Sequence, residues 1–149
     1  MSILLIIMIP KLNSFKIKLE EKKIKPTYIR LKILNRLETN KTHPTAEVIF
    51  KALVKEIPTI SRTSVYNTLN VFYEKGLITP IFITGLEARF DSNISPHHHF
   101  LCERCGQIID LDIECNYYKK GNVQGHRIIE LHGYFKGICK DCLKKKEKK

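Results

Sequence analysis

The sequence lacks an apolar run long enough to cross a bilayer: its apolar opening, Met1–Pro10, is about half of the roughly 20 residues a spanning helix needs. No basic leader precedes that stretch and no small-residue cleavage site follows it, so no export signal and no membrane partner are expected. Residues 1–12 read as an N-terminal packing arm, or as an upstream start with Met8 the true beginning. Negative charge is scarce, with 15 Asp/Glu against 26 Lys/Arg, a net charge of +11 and a pI near 9.5. A chain this basic favours a polyanionic partner, nucleic acid before a merely solvated lysine surface. Cysteine is too sparse for a disulfide scaffold: there are 5, and four of them form Cys102-x-x-Cys105 and Cys139-x-x-Cys142. That usage belongs to a metal protein of a reducing compartment, and a cytoplasmic location is expected. No general acid or substrate pocket is evident, which weighs against an enzyme.

What is present has ordinary globular composition, 43% hydrophobic over 149 residues, enough for one domain or two small ones. Residues 1–79 hold 14 Lys/Arg and 6 Asp/Glu; residues 80–149 hold 12 and 9. The basic charge is therefore concentrated in the first half and in the tail, Lys144–Lys149. Helical spacing is found over Asn13–Lys23, then after Thr27 with Ile29, Ile33, Leu34 and Leu37, and after Thr45 with Val48, Ile49, Ala52 and Leu53 inward. A fourth helix starts at Ser61 and stops at Gly76. Its stripe is Val65, Leu69 and Phe72 (with Val71), leaving Arg62, Thr63, Tyr66, Asn67 and Asn70 for another face; Arg62, Thr63, Ser64, Tyr66 and Asn67 are the DNA-binding candidates. Arg, Asn and Thr at a helix N-terminus can read base edges, and Ser or Tyr can hold phosphate. Leu77–Ile83 and Glu87–Asp91 read as a hairpin around Thr84-Gly85, and this order is that of a winged helix-turn-helix. The plain alternative is a helical domain with a solvated polar face. Beyond a hinge at 92–96, His97–Leu101, Gln107–Leu111, Arg127–Leu131 and Tyr134–Ile138 read as strands, with room for only a short helix between 112 and 125.

The two Cys-x-x-Cys pairs, 33 residues apart, suit structural zinc, because four thiolates close a tetrahedron and leave no open position. A redox-active thiol pair and an iron–sulfur cluster remain as rivals, and Cys115 reads as a packing residue. His97 and His99 alternate and so share one strand face. His43, Asp91 and Asp110 are the candidates to complete a nitrogen and oxygen site suited to iron(II) or manganese(II). Taken singly, His43 is an ordinary loop histidine, and Asp91 and Asp110 ordinary surface acids. If His43 does join the others, the metal would set the angle between two domains. His126 and His132 are weaker candidates for an additional site.

These pieces in this order resemble the ferric uptake regulator family: Thr27-Tyr28-Ile29-Arg30, His43-Pro44-Thr45-Ala46-Glu47, Ser61–Leu69, Ala88–Asp91, His97–Cys105, Gly106–Asp110 and Gly137–Cys142. The resemblance runs from about Asn13 to Cys142. It implies an α+β fold: a winged-helix DNA-binding domain (1–91), a hinge (92–96), a small α/β dimerisation and metal-binding domain stapled by zinc on Cys102, Cys105, Cys139 and Cys142 (97–143), and a basic tail (144–149). It implies a homodimeric, metal-dependent repressor of inverted-repeat, double-stranded operator DNA, not an enzyme. Aspartates at 91 and 110 are similar to the peroxide-sensing branch. The regulatory ligands would then be His43, Asp91, His97, His99 and Asp110, with iron(II) or manganese(II) bound. In that branch hydrogen peroxide leads to oxidation of a ligand histidine, here His43 or His97. The alternatives are an iron-availability regulator without oxidative chemistry, a zinc or nickel sensor, and a small metalloenzyme. Residues 111–126 are shorter than the family's dimerisation-helix region and contain Gly121, so no ligand is carried over to Glu114. The register around His132-Gly133 is shifted, so none is carried over there.

Overall fold

The computed structural model describes residues 3–83, 85, 87–113, 115–129, 131 and 133–145, with the backbone alone for 3–11, 117 and 118. Met1 and Ser2, the wing-turn residue Thr84, the weaker ligand candidates Glu114 and His132, and 146–149 of the basic tail lie outside the described residues. Two compact units follow one another along the chain, Met1–Ile94 and Ser95–Lys149. No helix among the described residues is long and apolar enough to cross a membrane.

The first unit is helical. Helices α1 (Ile3–Glu21), α2 (Tyr28–Thr39), α3 (Ala46–Leu53) and α4 (Arg62–Glu74) precede a hairpin of β1 (Thr79–Ile81) and β2 (Arg89–Asp91). Local chemistry sets the helix starts. The hydroxyls of Thr27, Thr45 and Ser61 accept from the amides of Arg30, Val48 and Ser64 at 3.4, 3.2 and 3.0 Å, satisfying N–H groups that have no partner inside a helix. α4 stops where Gly76 takes φ +62, with Leu77 N–H donating to Phe72 O at 2.8 Å and Gly76 N–H to Tyr73 O at 2.9 Å. This pair of bonds caps the last carbonyls and turns the chain into β1.

Leu19, Ile33, Leu34, Ile49, Val65 and Phe72 are wholly buried at the centre of this unit. Three expectations change. α1 begins upstream of Asn13 and takes in Pro10, in the stretch read as an arm. Val48 is 50% exposed, because α3 buries Ala46, Ile49 and Leu53 and a neighbour in sequence lies about 100° away round the helix. The wing strands are three residues each, shorter than their apolar runs.

The second unit is a three-stranded mixed sheet in the order β4-β3-β7, made of β3 (His98–Cys102), β4 (Ile108–Leu111) and β7 (Tyr134–Gly137). β3 pairs antiparallel with β4, placing His99 opposite Asp110, and parallel with β7, placing Cys102 opposite Gly137. Between β4 and β7 lie α5 (Asn116–Lys120), a two-residue pair of β5 (Asn122–Val123) and β6 (His126–Arg127), and after β7 comes α6 (Lys140–Lys144). α5 is short, as the sequence suggests, and Gly121 at φ +67 follows it. Among the described residues of the strand expected over Arg127–Leu131, Arg127 lies in β6, Ile128, Ile129 and Leu131 lie in no strand, and Ile129 is 77% exposed. Strand propensity without a neighbouring strand to pair with does not make a strand.

α1 ends with the same bond pattern as α4, Ile24 N–H to Leu19 O and Lys23 N–H to Glu20 O, both 2.9 Å, but the left-handed position is Lys23 at φ +57. A side chain there costs about 1 kcal/mol relative to glycine. Lys23→Gly should therefore raise the thermal midpoint by a few degrees and Gly76→Ala should lower it, as followed by circular dichroism.

Candidate metal centres and nucleic-acid interface

The parallel pairing of β3 and β7 ends both strands at the same edge of the sheet, and each runs directly into a Cys-x-x-Cys. Cys102 closes β3, and the turn through Cys105 is tied by Gly106 N–H to Cys102 O at 2.8 Å, with Gly106 at φ +70. β7 leads to Cys139, and α6 carries Cys142. Glu103 N–H donates to Gly137 O at 2.8 Å, and Arg104 Nη1 to Cys142 O at 2.9 Å, so the two turns hold each other. The four sulfurs lie within 4.8 Å of one another, and Cys105 Sγ and Cys139 Sγ are 3.8 Å apart. Four sulfurs about 2.3 Å from a tetrahedral ion are about 3.8 Å from each other, whereas a disulfide needs about 2 Å. The spacing is that of one shared ion.

The protonation chemistry agrees. The Cys139 amide, donating to Cys102 Sγ at 3.3 Å, holds the Cys102 thiol down to about 6, with the Cys105 amide adding to it against burial. Burial, and then the neighbouring thiols, push Cys142 up to about 12. The Cys102 thiolate forms readily and Cys142 resists ionisation, since burial and like charges in a small space both oppose it. A divalent cation at the centre removes that conflict.

Each unit also carries a histidine–aspartate pairing. In the first, His43 Nε2 lies 3.6 Å from Asp91 Oδ2, both side chains being buried. The His43-Pro44-Thr45 segment runs along β2: Phe90 N–H donates to Pro44 O at 3.0 Å, Thr45 bridges Arg89, and Arg89 Nη1 donates to His43 O at 3.4 Å. His43 sits at φ +48 ahead of a proline, a conformation that only a strongly determined surrounding holds in place. Asn93 N–H donates to Asp91 Oδ1 at 2.8 Å, and Oδ2 is the oxygen nearest the imidazole. In the second unit, Asp110 Oδ1 is 3.4 Å from His97 Nε2 and 3.6 Å from His99 Nε2. Cross-strand register puts Asp110 opposite His99, and His97, one residue before β3, has its ring centre 4.4 Å from that of His99. His97 Nδ1 is 2.7 Å from Ser95 O. A carbonyl only accepts, so Nδ1 carries the proton and Nε2 presents its lone pair, the arrangement typical of metal-binding imidazoles.

On α4, Arg62, Thr63, Tyr66 and Asn67 are exposed and Ser64 is half-buried against the Ser61 hydroxyl, while Val65, Thr68, Leu69 and Phe72 face the core. The polar face expected to read DNA is thus on the surface. Cys115 is half-buried. His126 is exposed on β6 and joins no metal-type cluster among the described residues. Four contributors were not singled out from sequence: Asn93 and Ser95, which orient ligands through backbone groups that have no sequence signature, and Glu47 and Phe50, which contact Arg62 from 15 and 12 positions away.

The ferric uptake regulator family model matches residues 21–132. The peroxide operon regulator of Bacillus subtilis is 34% identical over 134 residues, covering 85% of this chain and 90% of that protein. The peroxide-responsive repressor PerR of Staphylococcus aureus is 35% identical over 130 residues, covering 82% and 84%. Among solved structures, the ferric uptake regulator of Vibrio cholerae superposes with a TM-score of 0.64 at 28% identity, covering 83% of this chain and 98% of that one. The Helicobacter pylori regulator has a TM-score of 0.68 at 20% identity, covering 90% and 92%, a likeness of fold. With a helical N-terminal unit, a small mixed sheet, a four-cysteine cluster and the histidine–aspartate ligand set, the chain belongs to the ferric uptake regulator family of metal-dependent transcriptional regulators and is not an enzyme.

Proposed function

We propose that this regulator is a repressor that binds inverted-repeat operator DNA as a homodimer and releases it on exposure to hydrogen peroxide. The observation that carries the reading is aspartate at both carboxylate positions, Asp91 beside His43 and Asp110 beside His97 and His99. Relatives about one-third identical over most of the chain are named for their response to peroxide. The exposed Ile129, Leu131, Tyr134 and Phe135 support a dimer, since a second copy would cover apolar surface that is otherwise left in water. A DNA partner and unpaired thiols fit the cytoplasm.

In this reading Cys102, Cys105, Cys139 and Cys142 hold structural zinc, and His43, Asp91, His97, His99 and Asp110 hold iron(II) or manganese(II). Three imidazoles and two carboxylates are a donor set harder than thiolate. Because the five come from both units, binding favours the conformer in which all of them reach one ion, and it can shift the balance only by its differential affinity for that conformer. Iron(II), when bound, would supply redox catalysis of O–O cleavage next to the ligand imidazoles, with no net loss of its own electrons. His43 or His97 offers the nearest oxidisable ring. One peroxide oxygen is inserted at a ring C–H, the other leaves as water, and the two electrons lost by the ring balance the peroxide's reduction. The altered ring no longer holds its position, the clamp opens, and α4 with Arg62, Thr63, Ser64, Tyr66 and Asn67 leaves the major groove. With manganese(II) the same side chains close the clamp and stay unoxidised.

Three outcomes are expected. Cys142→Ser should lose stoichiometric zinc by elemental analysis and melt the second unit at a lower temperature. His43→Ala should keep zinc and dimer but lose metal-stimulated binding to a fluorescent operator duplex; full stimulation would sink the clamp. Iron(II)-loaded protein given one equivalent of peroxide should gain one oxygen on the His43 or His97 peptide by mass spectrometry and release the duplex. Unmodified histidines and cysteines, with binding still dependent on iron, would instead make the chain an iron-availability regulator.

A further inference from the structure

Arg62, the first residue of α4, is held in one orientation before any DNA is met. Its Nε and Nη2 donate to Glu47 Oε2 and Oε1 at 2.9 and 3.0 Å, and its guanidinium carbon lies 4.4 Å from the centre of the Phe50 ring. Lys51 Nζ stands 3.7 Å from Glu47 Oε1, so the carboxylate is flanked by two cations rather than facing phosphate bare. Glu47, Phe50 and Lys51 all belong to α3, the helix that begins at Thr45, while Tyr66 lies one turn beyond Arg62 on the exposed face of α4.

A guanidinium has five N–H donors in a planar fork. The bond pair to Glu47 occupies the edge formed by Nε and Nη2, leaving the end-on pair on Nη1 and Nη2. That pair matches the O6 and N7 acceptors that guanine shows in the major groove, and no other base presents two acceptors on that edge. A carboxylate and an aromatic face that hold the plane in advance lower the ordering cost of the contact.

We propose that Glu47 and Phe50 position Arg62 to read one guanine in each operator half-site, an inference that rests on the repressor reading above. Glu47 is a positioning residue and Arg62 the base-reading one. The carboxylate therefore sets which base is preferred, and has little effect on how tightly the protein holds DNA in general.

The test uses the full chain, loaded with zinc and manganese(II), and duplexes selected in vitro from a randomised library. Each guanine of the selected site is replaced in turn by 7-deazaguanine, which lacks the N7 acceptor, and binding is followed by fluorescence anisotropy. In the wild type one guanine per half-site should show a loss of about tenfold. In Arg62→Ala and in Glu47→Gln that penalty should fall to about twofold or less, the double variant behaving like Arg62→Ala, while the affinity of Glu47→Gln for an unselected duplex stays within about twofold of the wild type. Arg62→Lys, which keeps the charge but not the fork, should lose the guanine preference as well.

Retention of the full penalty in Arg62→Ala would remove Arg62 as the reader. Retention in Glu47→Gln would remove the brace, and tighter binding of every duplex by that variant with the penalty intact would make Glu47 an electrostatic brake instead. A wild type that enriches no sequence from the library would overturn the repressor reading itself, and this inference with it.

Discussion

The second unit depends on the convergence of four thiols at the shared edge of β3 and β7. Among the described residues its buried apolar side chains are few: Cys102, Cys139 and Cys142 with Phe100, Ile109 and Ile138 packed against them, and Leu101 and Ile108 besides. Side chains of that number bury too little surface to offset the ordering of some fifty residues without a staple. The same staple reaches the regulatory ligands through covalent geometry. His99 is three residues before Cys102 on one strand, about 10 Å away, so the strand that anchors the thiols also sets the direction of the imidazoles. β3 thus carries one cysteine of the thiolate cluster and one histidine of the imidazole–carboxylate cluster.

The first unit solves a different problem. Its core is a single large cluster of buried leucines, isoleucines and phenylalanines, and its polar groups are left to set direction. The hydroxyls of Thr45 and Ser61 start α3 and α4, and Gly76 ends α4, so the exposed polar face of α4 is aimed by three local devices before packing adds to them. Thr45 also bridges Arg89 of the strand that ends in Asp91. The residue that caps the helix carrying Glu47 is thus joined in the backbone to the segment carrying His43 and to the strand carrying Asp91. Any change in how His43 and Asp91 are held acts on the start of α3 through covalent neighbours and one bridge. Such a connection is a physical route for coupling, whose strength is a matter for mutant cycles.

The sequence by itself determined what depends on local chemistry. Both Cys-x-x-Cys pairs, the caps at Thr27, Thr45 and Ser61, the stop at Gly76, the shortness of the helix before Gly121 and the shared face of His97 and His99 are legible because each is settled within a few residues. The identity of the donors, soft at one site and harder at the other, is legible for the same reason. Tertiary structure alone decided what depends on partners distant in the chain. It turned Val48 to solvent because Ala46, Ile49 and Leu53 already faced the core, and it left Ile128, Ile129 and Leu131 outside any strand. It matched His99 to Asp110 through antiparallel register, and the parallel pairing of β3 with β7 brought two cysteine turns 33 residues apart within reach of one ion. It also clasped Arg62 to Glu47 across 15 positions. Propensity and spacing describe a residue's neighbours along the chain, whereas these contacts are fixed by which surfaces the folded chain brings together.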